Sequence, residues 1–426
     1  MSAVGRAVLG AIADDFTGAT DLANALVRQG MRTVLMLGQP SGPVPDGVDA
    51  LVVALKTRTI PAVDAVAQSL QALAWLREAG VRQIYFKYCS TFDSTDQGNI
   101  GPVADALLEA LNSDFATVCP AFPGAGRTIY HGHLFVNGRL LSESSMRNHP
   151  LTPMHDADLV RVLGRQTPGA VGNVALPLIA EGPDAVRGAL DRLRKDGKRY
   201  AVLDVASDAD LATIGEAVAD HELVTAGSGV ALGLPAAYRR REWLPAYAVR
   251  QDLEPADPGP SLVLSGSCSE ATQGQVAKLR GEAPAFELDP MALSRDADVV
   301  TQAIVFATQR LPKGPVLIYS TAEPARVASA QRWLGTERAA SLLEGAFAAI
   351  ARALLASGVR RFIVAGGETA GAVVQALDVK ALRIGKEIDP GVPWTVAEGA
   401  PRLALALKSG NFGAPDFFAK ALRMAP

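Results

Sequence analysis

The densest concentration of chemically able side chains lies at 86–101, FKYCSTFDSTDQGNIG. Lys87, Ser90, Thr91, Asp93, Ser94, Thr95, Asp96, Gln97 and Asn99 crowd between an apolar-aromatic run, Ile84-Tyr85-Phe86, and a helix expected from Pro102. A turn needs far fewer hydrogen-bonding groups. A lysine here can hold an anion, and an aspartate beside serines and threonines can orient hydroxyls or a cation. The same residue types also cap helices and form turns, so the cluster carries more weight than any member. Asp14 and Asp15 follow one apolar run, and Arg58 follows another. Paired aspartates can orient a hydroxyl, accept its proton or help to hold Mg2+, although acids also simply favour helix N-termini. Arg58 and Lys87 suit a carboxylate or a phosphoryl group in transfer. Asp14, Asp15, Arg58, Lys87, Ser90 and Asp93 together describe a site for a small polyhydroxylated acid, with Asp15 and then Asp93 as the candidate catalytic bases.

A second group lies near the C-terminus. Three short apolar runs pass into glycine loops: Ser265-Gly266-Ser267-Cys268-Ser269, Gly366-Gly367-Glu368-Thr369-Ala370-Gly371 and Lys408-Ser409-Gly410-Asn411-Phe412-Gly413. Glycine lets backbone N–H groups approach an anion, and a helix start adds oriented donors. Any αβ fold has glycines at such places, but three loops in one half point to a nucleotide. A further run, Val316–Tyr319, ends in Ser320-Thr321 without a glycine loop.

Other chemistries are disfavoured. There is no GxxxxGK[ST] and no GxSxG, which argues against a standard P-loop protein and a serine hydrolase. Gly124-Ala125-Gly126 lacks the third glycine of a dinucleotide fingerprint and opens a hairpin. Gly227-Ser228-Gly229 with Gly233 lacks an acidic ribose partner on a second strand. His131 and His133, two apart on an expected strand, could share one face. No third ligand follows at metal spacing, so no metal site is assigned.

The elements that must position these groups alternate. Strands are expected at Ala7–Ala13, Thr33–Leu37, Leu51–Leu55, Gln83–Phe86 and Ala116–Cys119, with helices near Leu22–Gln29, Ala62–Ala79 and Pro102–Leu111. This βαβ grammar predicts mainly parallel sheets, with ligands at the carboxyl ends of the strands. At 128–155 the grammar changes. Thr128–Val136, Asn137-Gly138 and Arg139–Leu141 read as a hairpin with a type I′ turn, followed by a polar arm holding Pro150 and Pro153. Such an insertion caps a site or joins two copies of the chain in a homodimer. Alternation resumes with strands at Val171–Leu176, Tyr200–Val205 and Leu223–Ala226. QDLEPADPGP, 251–260, reads as a linker between an N-terminal domain, 1–250, and a C-terminal domain, 261–426. The fold class is α/β, with two α/β domains and a site expected in the cleft between them.

The totals agree. The 426 residues are 49% hydrophobic and 20% charged, with a net charge of −3, which gives no global attraction to nucleic acid or to an anionic membrane. Cys89, Cys119 and Cys268 are the only cysteines; an odd, scattered set fits a reducing cytoplasm. The apolar run at the N-terminus is too short for a signal peptide, and no uninterrupted apolar run approaches a membrane span.

Asp14-Asp15-Phe16-Thr17-Gly18-Ala19, the run 86–101, Gly366-Gly367-Glu368-Thr369 and Lys408-Ser409-Gly410-Asn411-Phe412-Gly413 resemble, in order and spacing, the four-carbon acid sugar kinase family. KYCSTFDST, GNIG and SSMRNHPLTPM most resemble its branch acting on 3-oxo acids rather than on threonate or erythronate. The resemblance implies an N-terminal domain for the sugar acid and a C-terminal one for ATP with Mg2+. It implies ATP contacts at Ser265, Gly366, Gly367, Glu368, Thr369 and Gly410, and substrate contacts around Asp14, Asp15, Arg58, Lys87 and Asp93. The activity expected is phosphorylation of the terminal hydroxyl of a four-carbon keto acid sugar. The rivals are a threonate or erythronate kinase and a non-catalytic sugar-acid receptor.

Overall fold

A computed structural model of the chain describes residues 7–149, 151–246, 254–295, 298–408, 410 and 412–426. Residues 251–253 of the expected linker, Pro150 of the arm, and Ser409 and Asn411 of the last glycine loop lie outside the described residues. Two compact units, Met1–Gln251 and Asp252–Pro426, divide the chain.

The first unit runs β1 (Leu9–Ala13), α1 (Phe16–Arg28), β2 (Thr33–Leu37), β3 (Ala50–Ala54), α2 (Ala62–Glu78), β4 (Gln83–Lys87), α3 (Ile100–Ala110) and β5 (Ala116–Cys119). An inserted sheet of β6 (Arg127–Tyr130), β7 (His133–Val136) and β8 (Arg139–Leu140) follows. Then come α4 (Leu159–Gly164), β9 (Ala170–Val174), α5 (Leu176–Ala180), α6 (Pro183–Lys195), β10 (Lys198–Leu203), α7 (Asp208–Val218), β11 (Leu223–Ala226) and α8 (Leu234–Arg240). The main sheet has the order β2-β3-β1-β4-β11-β5-β10-β9, and every pair in it is parallel. β1, β3 and β4 are buried along their whole length, which is why they read as continuous apolar runs rather than as alternating ones. β1 lies between β3 and β4, so its carboxyl end is a point where the winding reverses. Ala13 stands opposite Ala54 on one side and Lys87 on the other.

The second unit runs β12 (Ser261–Ser265), α9 (Glu270–Arg280), β13 (Ala285–Glu287), α10 (Pro290–Arg295), α11 (Asp298–Arg310), β14 (Val316–Tyr319), α12 (Pro324–Leu334), α13 (Thr336–Ala356), β15 (Arg361–Ala365), α14 (Gly367–Ala376), β16 (Ala381–Asp389), β17 (Val392–Ala397), β18 (Ala404–Lys408) and α15 (Phe417–Arg423). Its strands lie in the order β13-β14-β12-β15-β18-β17-β16. The pairs from β13 to β18 are parallel, and β17 runs antiparallel to both β18 and β16. Val263, Ile363, Trp394, Phe417 and Phe418 belong to one buried cluster of this unit. Residues 337–356 of α13 are long and apolar enough, by composition, to cross a membrane. Glu344 and Arg352 interrupt the run, and Phe347, Ile350, Ala351 and Leu354 are buried within the unit.

Two sequence expectations are corrected. Thr128–Val136 is not one strand. It breaks at His131-Gly132, where both residues have positive φ (47° and 73°), just as at Asn137-Gly138 (49° and 77°). Two turns thus make a three-stranded sheet. His131 sits in the first turn, so it does not share a strand face with His133. The cause is Asp204, fully buried just past β10. Its carboxylate accepts from the backbone N–H of His131 (2.6 Å), Gly132 (2.9 Å) and Leu176 (3.1 Å) and from the Asn173 amide (2.9 Å). These donors hold a histidine in a left-handed conformation that its side chain does not favour. Asp204→Ala should destabilise the first unit by roughly 3 kcal/mol, because several buried donors lose their acceptor at once. Urea unfolding checks this, with Asp204→Asn expected to cost less.

Candidate functional site

In the first unit the strand order brings the predicted charges together. Asp14 and Asp15 follow β1, Arg58 follows β3, and Asp93 lies in the loop after β4. The Arg58 guanidinium pins all three. Its Nε and Nη2 donate to the two oxygens of Asp14 (both 2.8 Å), Nη2 also donates to Asp15 Oδ1 (2.6 Å), and Nη1 stands 3.9 Å from Asp93 Oδ2. The backbone repeats the link, since Thr57 and Arg58 N–H both donate to the Asp14 carbonyl. Burial pushes the Asp14 carboxyl up, and Arg58 opposes that shift. For Arg58, burial works against its charge, but Asp14 and Asp15 more than reverse this and hold it cationic. Such a fork is strong when bidentate and partly desolvated.

Arg58 is therefore largely committed to the aspartates. Lys87 is the last residue of β4 and is 3% exposed. Its ammonium donates to the Tyr88 carbonyl at 2.8 Å; an ammonium has three donors. Asp15 caps α1, with Oδ1 accepting from the Gly18 N–H at 2.9 Å. Its contacts use Oδ1, and its side chain is 27% exposed, against 10% for Asp93. Gly18 is needed for space, because a Cβ there would fall 2.4 Å from Asp15 Oδ1 and 2.7 Å from Lys87 Nζ.

The 86–101 loop is held from several sides. Tyr88 N–H donates to Ala226 at the end of β11. Asp93 Oδ1 accepts from the Thr91 hydroxyl at 2.5 Å, which in turn lies 3.0 Å from the Cys89 sulfur. Burial, with Asp93 adding, pushes the Cys89 thiol up to about 12, so it is not a nucleophile at neutral pH. Ser90 is half-buried in the turn. The helix after the loop begins at Ile100, before Pro102, because Asn99 is drawn in: its amide donates to the carbonyls of Thr57 (2.6 Å) and Ile60 (3.2 Å). Gln166 is a residue that no motif revealed. Its Oε1 accepts from the Ser94 hydroxyl and the Gly101 N–H (both 3.1 Å), and its Nε2 donates to the Ser94 (3.3 Å) and Thr95 (2.7 Å) carbonyls. The polar arm lies beside the loop. Met154, His155 and Asp156 line a cavity of about 300 Å³ with Ser94, Thr95 and Arg165.

In the second unit, the strands bearing the three glycine loops are adjacent and parallel. Ser265 pairs with Ala365, and Ala365 with Lys408, so the loops leave from one edge. α14 begins at Gly367 with Gly366 as its cap and no side-chain cap bond, which leaves its first-turn N–H groups available to an anion. Gly366 has a φ of 118°, a conformation open to glycine. The Ser265 hydroxyl is fully buried and turned to Thr321 Oγ1 at 2.8 Å. The Gly410 carbonyl accepts from Ser269 (2.6 Å), Thr272 (2.7 Å) and the Lys408 ammonium (3.1 Å). Glu368 is exposed in the first turn of α14, and Thr369 is buried behind it. Lys408, like Lys87, is a lysine closing a buried strand at a glycine-bearing loop.

Two domain families match the chain. A sugar-binding N-terminal domain covers residues 9–234, and a nucleotide-binding C-terminal domain covers 262–418. The class is thus a two-domain protein with a sugar-binding half and a nucleotide-binding half. A 3-oxo-tetronate kinase of Burkholderia multivorans is 59% identical across 98% of this chain and 97% of its own length. One from Cupriavidus necator is 59% identical with the same coverage. A solved structure from Salmonella typhimurium LT2 superposes with a TM-score of 0.90 at 44% identity, covering 98% of this chain and 99% of that one. That of Haemophilus influenzae protein HI1011 gives 0.85 at 45% identity, covering 97% and 99%. The chain belongs to the four-carbon acid sugar kinase family.

Burial holds the Lys408 ammonium down at about 8, against 10.5 for an ordinary lysine. Its protonation therefore opposes folding between those values, and stability rises as pH climbs from about 8 to 10.5. Measured by thermal unfolding in parallel, the parent should gain on Lys408→Met by on the order of 2 kcal/mol across that window.

Proposed function

We propose that this chain is an ATP-dependent kinase that transfers the γ-phosphoryl group to the 4-hydroxyl of 3-oxo-tetronate, giving the 4-phosphate and ADP. The observation that carries the reading is the carboxylate cluster pinned by Arg58 at the carboxyl edge of one parallel sheet, in a chain whose other sheet presents three glycine loops at its carboxyl edge. The 3-oxo-tetronate kinases that resemble this chain along nearly its whole length support the substrate.

In this reading Lys87 takes the substrate carboxylate. Arg58 holds Asp14, Asp15 and Asp93 in place and offsets their mutual repulsion. Asp15, the more exposed of the two candidate bases, accepts the proton of the 4-hydroxyl as its oxygen attacks the γ-phosphorus. The bond from that phosphorus to the bridging oxygen breaks, and the electron pair leaves on ADP. The loops around Ser265, Gly366–Thr369 and Gly410 hold the phosphates, so transfer requires the two sets of loops to meet. Phosphoryl transfer asks for positioning and charge stabilisation rather than covalent chemistry, which suits such a site. Among the described residues no three His, Cys, Asp or Glu side chains gather as a metal site. Mg2+ bound through phosphates needs only one or two carboxylates. Glu368, exposed beside the glycine loop, fits that need, and the ion would supply charge neutralisation there.

A panel of 3-oxo-tetronates of both configurations, threonate and erythronate, followed by ADP release, tests the substrate. Turnover on the oxo acids is expected. Turnover on threonate or erythronate alone would overturn the substrate and keep the kinase, and ATP binding without turnover on any acid would favour the receptor. Asp15→Asn should lower kcat by about 10²- to 10⁴-fold, with ATP affinity little changed; an unchanged kcat removes Asp15 from the role of base.

A further inference from the structure

One face of a helix joins the first and third glycine loops of the second unit. Ser269 ends the first loop and caps α9, its hydroxyl accepting from the Thr272 N–H at 3.3 Å. Thr272 and Gln275 follow at steps of three residues, which places them on the same side of the helix. Both are buried. All three residues donate to the third loop. The Ser269 and Thr272 hydroxyls reach the Gly410 carbonyl. The Gln275 amide reaches the carbonyls of Phe412 (3.1 Å), Gly413 (2.9 Å) and Ala414 (3.1 Å). Val276 and Leu279, by contrast, turn to the apolar cluster of the unit. The two loops also touch directly. A Cβ on Gly410 would fall 2.4 Å from Ser267 Oγ, so a larger residue would force them apart.

The Gln275 amide serves the loop rather than itself. Its nitrogen faces three carbonyls, which dictates the orientation of the group, and its enclosed oxygen has no partner among the described residues. An enclosed acceptor without a donor costs stability, so the three carbonyls are what hold the side chain there. Asp389, the last residue of β16, completes the grip. Its Oδ2 accepts from the Ala414 N–H at 2.9 Å and its Oδ1 from the Lys420 ammonium at 2.5 Å. The peptide between Gly413 and Ala414 is thus fixed at both ends, its carbonyl by Gln275 and its N–H by Asp389. A trans peptide points its C=O and its N–H in opposite directions. With the Phe412 carbonyl turned to Gln275, the Gly413 N–H points away from α9, and it has no partner among the described residues. Gly413 has a φ of 85°, a conformation open to glycine. Backbone N–H groups turned outward from such loops are donors for anions.

We infer that Gln275 is a positioning residue for the phosphoryl donor. With Thr272 it turns the carbonyls of the third glycine loop inward, holds that loop against the first, and leaves the Gly413 N–H turned outward to a phosphate oxygen. Gln275 acts through the loop and touches no phosphate itself. The inference rests on the kinase reading above.

Steady-state kinetics on the full chain separates positioning from a purely structural role. KM for ATP, KM for the 3-oxo-tetronate and kcat would be measured for the parent, Gln275→Met, Thr272→Val and Thr272→Ser, with thermal unfolding of each in parallel. Gln275→Met keeps the length and removes the donors. It should raise KM for ATP by at least about tenfold, and Thr272→Val should raise it by about three- to tenfold, the worth of one hydrogen bond. KM for the acid should stay at the parent value in both. Thr272→Ser restores the hydroxyl and should restore KM for ATP. Thr272→Val, which loses one donor rather than three, decides the question if Gln275→Met does not fold. A parent-like KM for ATP in the folded variants, with only kcat or the unfolding temperature lowered, would overturn this inference alone, because a loss of folded enzyme lowers kcat and leaves KM in place. So would an equal rise of both KM values, which would place these residues with the fold at large. A parent that turns over ATP with none of the acids would overturn the kinase reading and this inference with it.

Discussion

The first unit depends on one guanidinium. Arg58 reaches from the end of β3 to carboxylates at the ends of β1 and near β4, so a single planar group joins three segments that are distant in sequence. Without it Asp14 would be a buried charge beside Asp15, and the two would repel across a few ångströms of poorly screening interior. The fork makes that concentration of acid tolerable. It also fixes where the oxygens point, and a base that takes a proton from a hydroxyl must be fixed. The carboxylate cluster is thus an electrostatic arrangement first and a pocket second.

The second unit solves a different problem with different means. At Gly366 it leaves the first-turn N–H groups of α14 uncapped, and the lysine that closes β18 is turned inward to the Gly410 carbonyl. That lysine supports a loop and does not face open solvent, much as Lys87 supports the turn at Tyr88. Both sheets place a buried ammonium at the last position of a strand, one with a carbonyl partner and spare donors, the other with a carbonyl and a threonine hydroxyl. Chain direction explains the coincidence. The carboxyl end of a parallel strand is where the winding leaves room, and a side chain there points toward whatever the loops enclose.

Much of this was readable before any coordinates. Fully buried parallel strands have an unmistakable apolar signature, and β1, β4, β11, β14 and β15 fell where the runs lay. The groups at their ends could be named because strand ends in such sheets are where ligands bind. What stayed hidden was whatever depends on distant partners. The His131-Gly132 turn is enforced by Asp204, some seventy residues on, so no local propensity announces it. The antiparallel pair β16 and β17 is the exception, a local hairpin that turns at Pro390-Gly391, with Gly391 at a φ of 80°. Gln166 is an ordinary amide in sequence and a four-bond clamp in space. Arg58 was legible as a cation near the acids, but its commitment to Asp14 follows only from the order of the strands.

The bond from Tyr88 to Ala226 carries a further meaning. β4 is covered on one side by β1, made early in the chain, and on the other by β11, made almost last in the unit. A chain that stopped before residue 223 would hold Asp14, Asp15, Arg58, Lys87 and Asp93 and yet leave β4 with an open edge, its N–H and C=O groups unclaimed beside the very loop they should brace. In translation as in truncation, the motif-bearing segment would precede the strand that steadies it by well over a hundred residues. The polar arm and its small sheet, inserted between the two, would have to fold back before that edge could close.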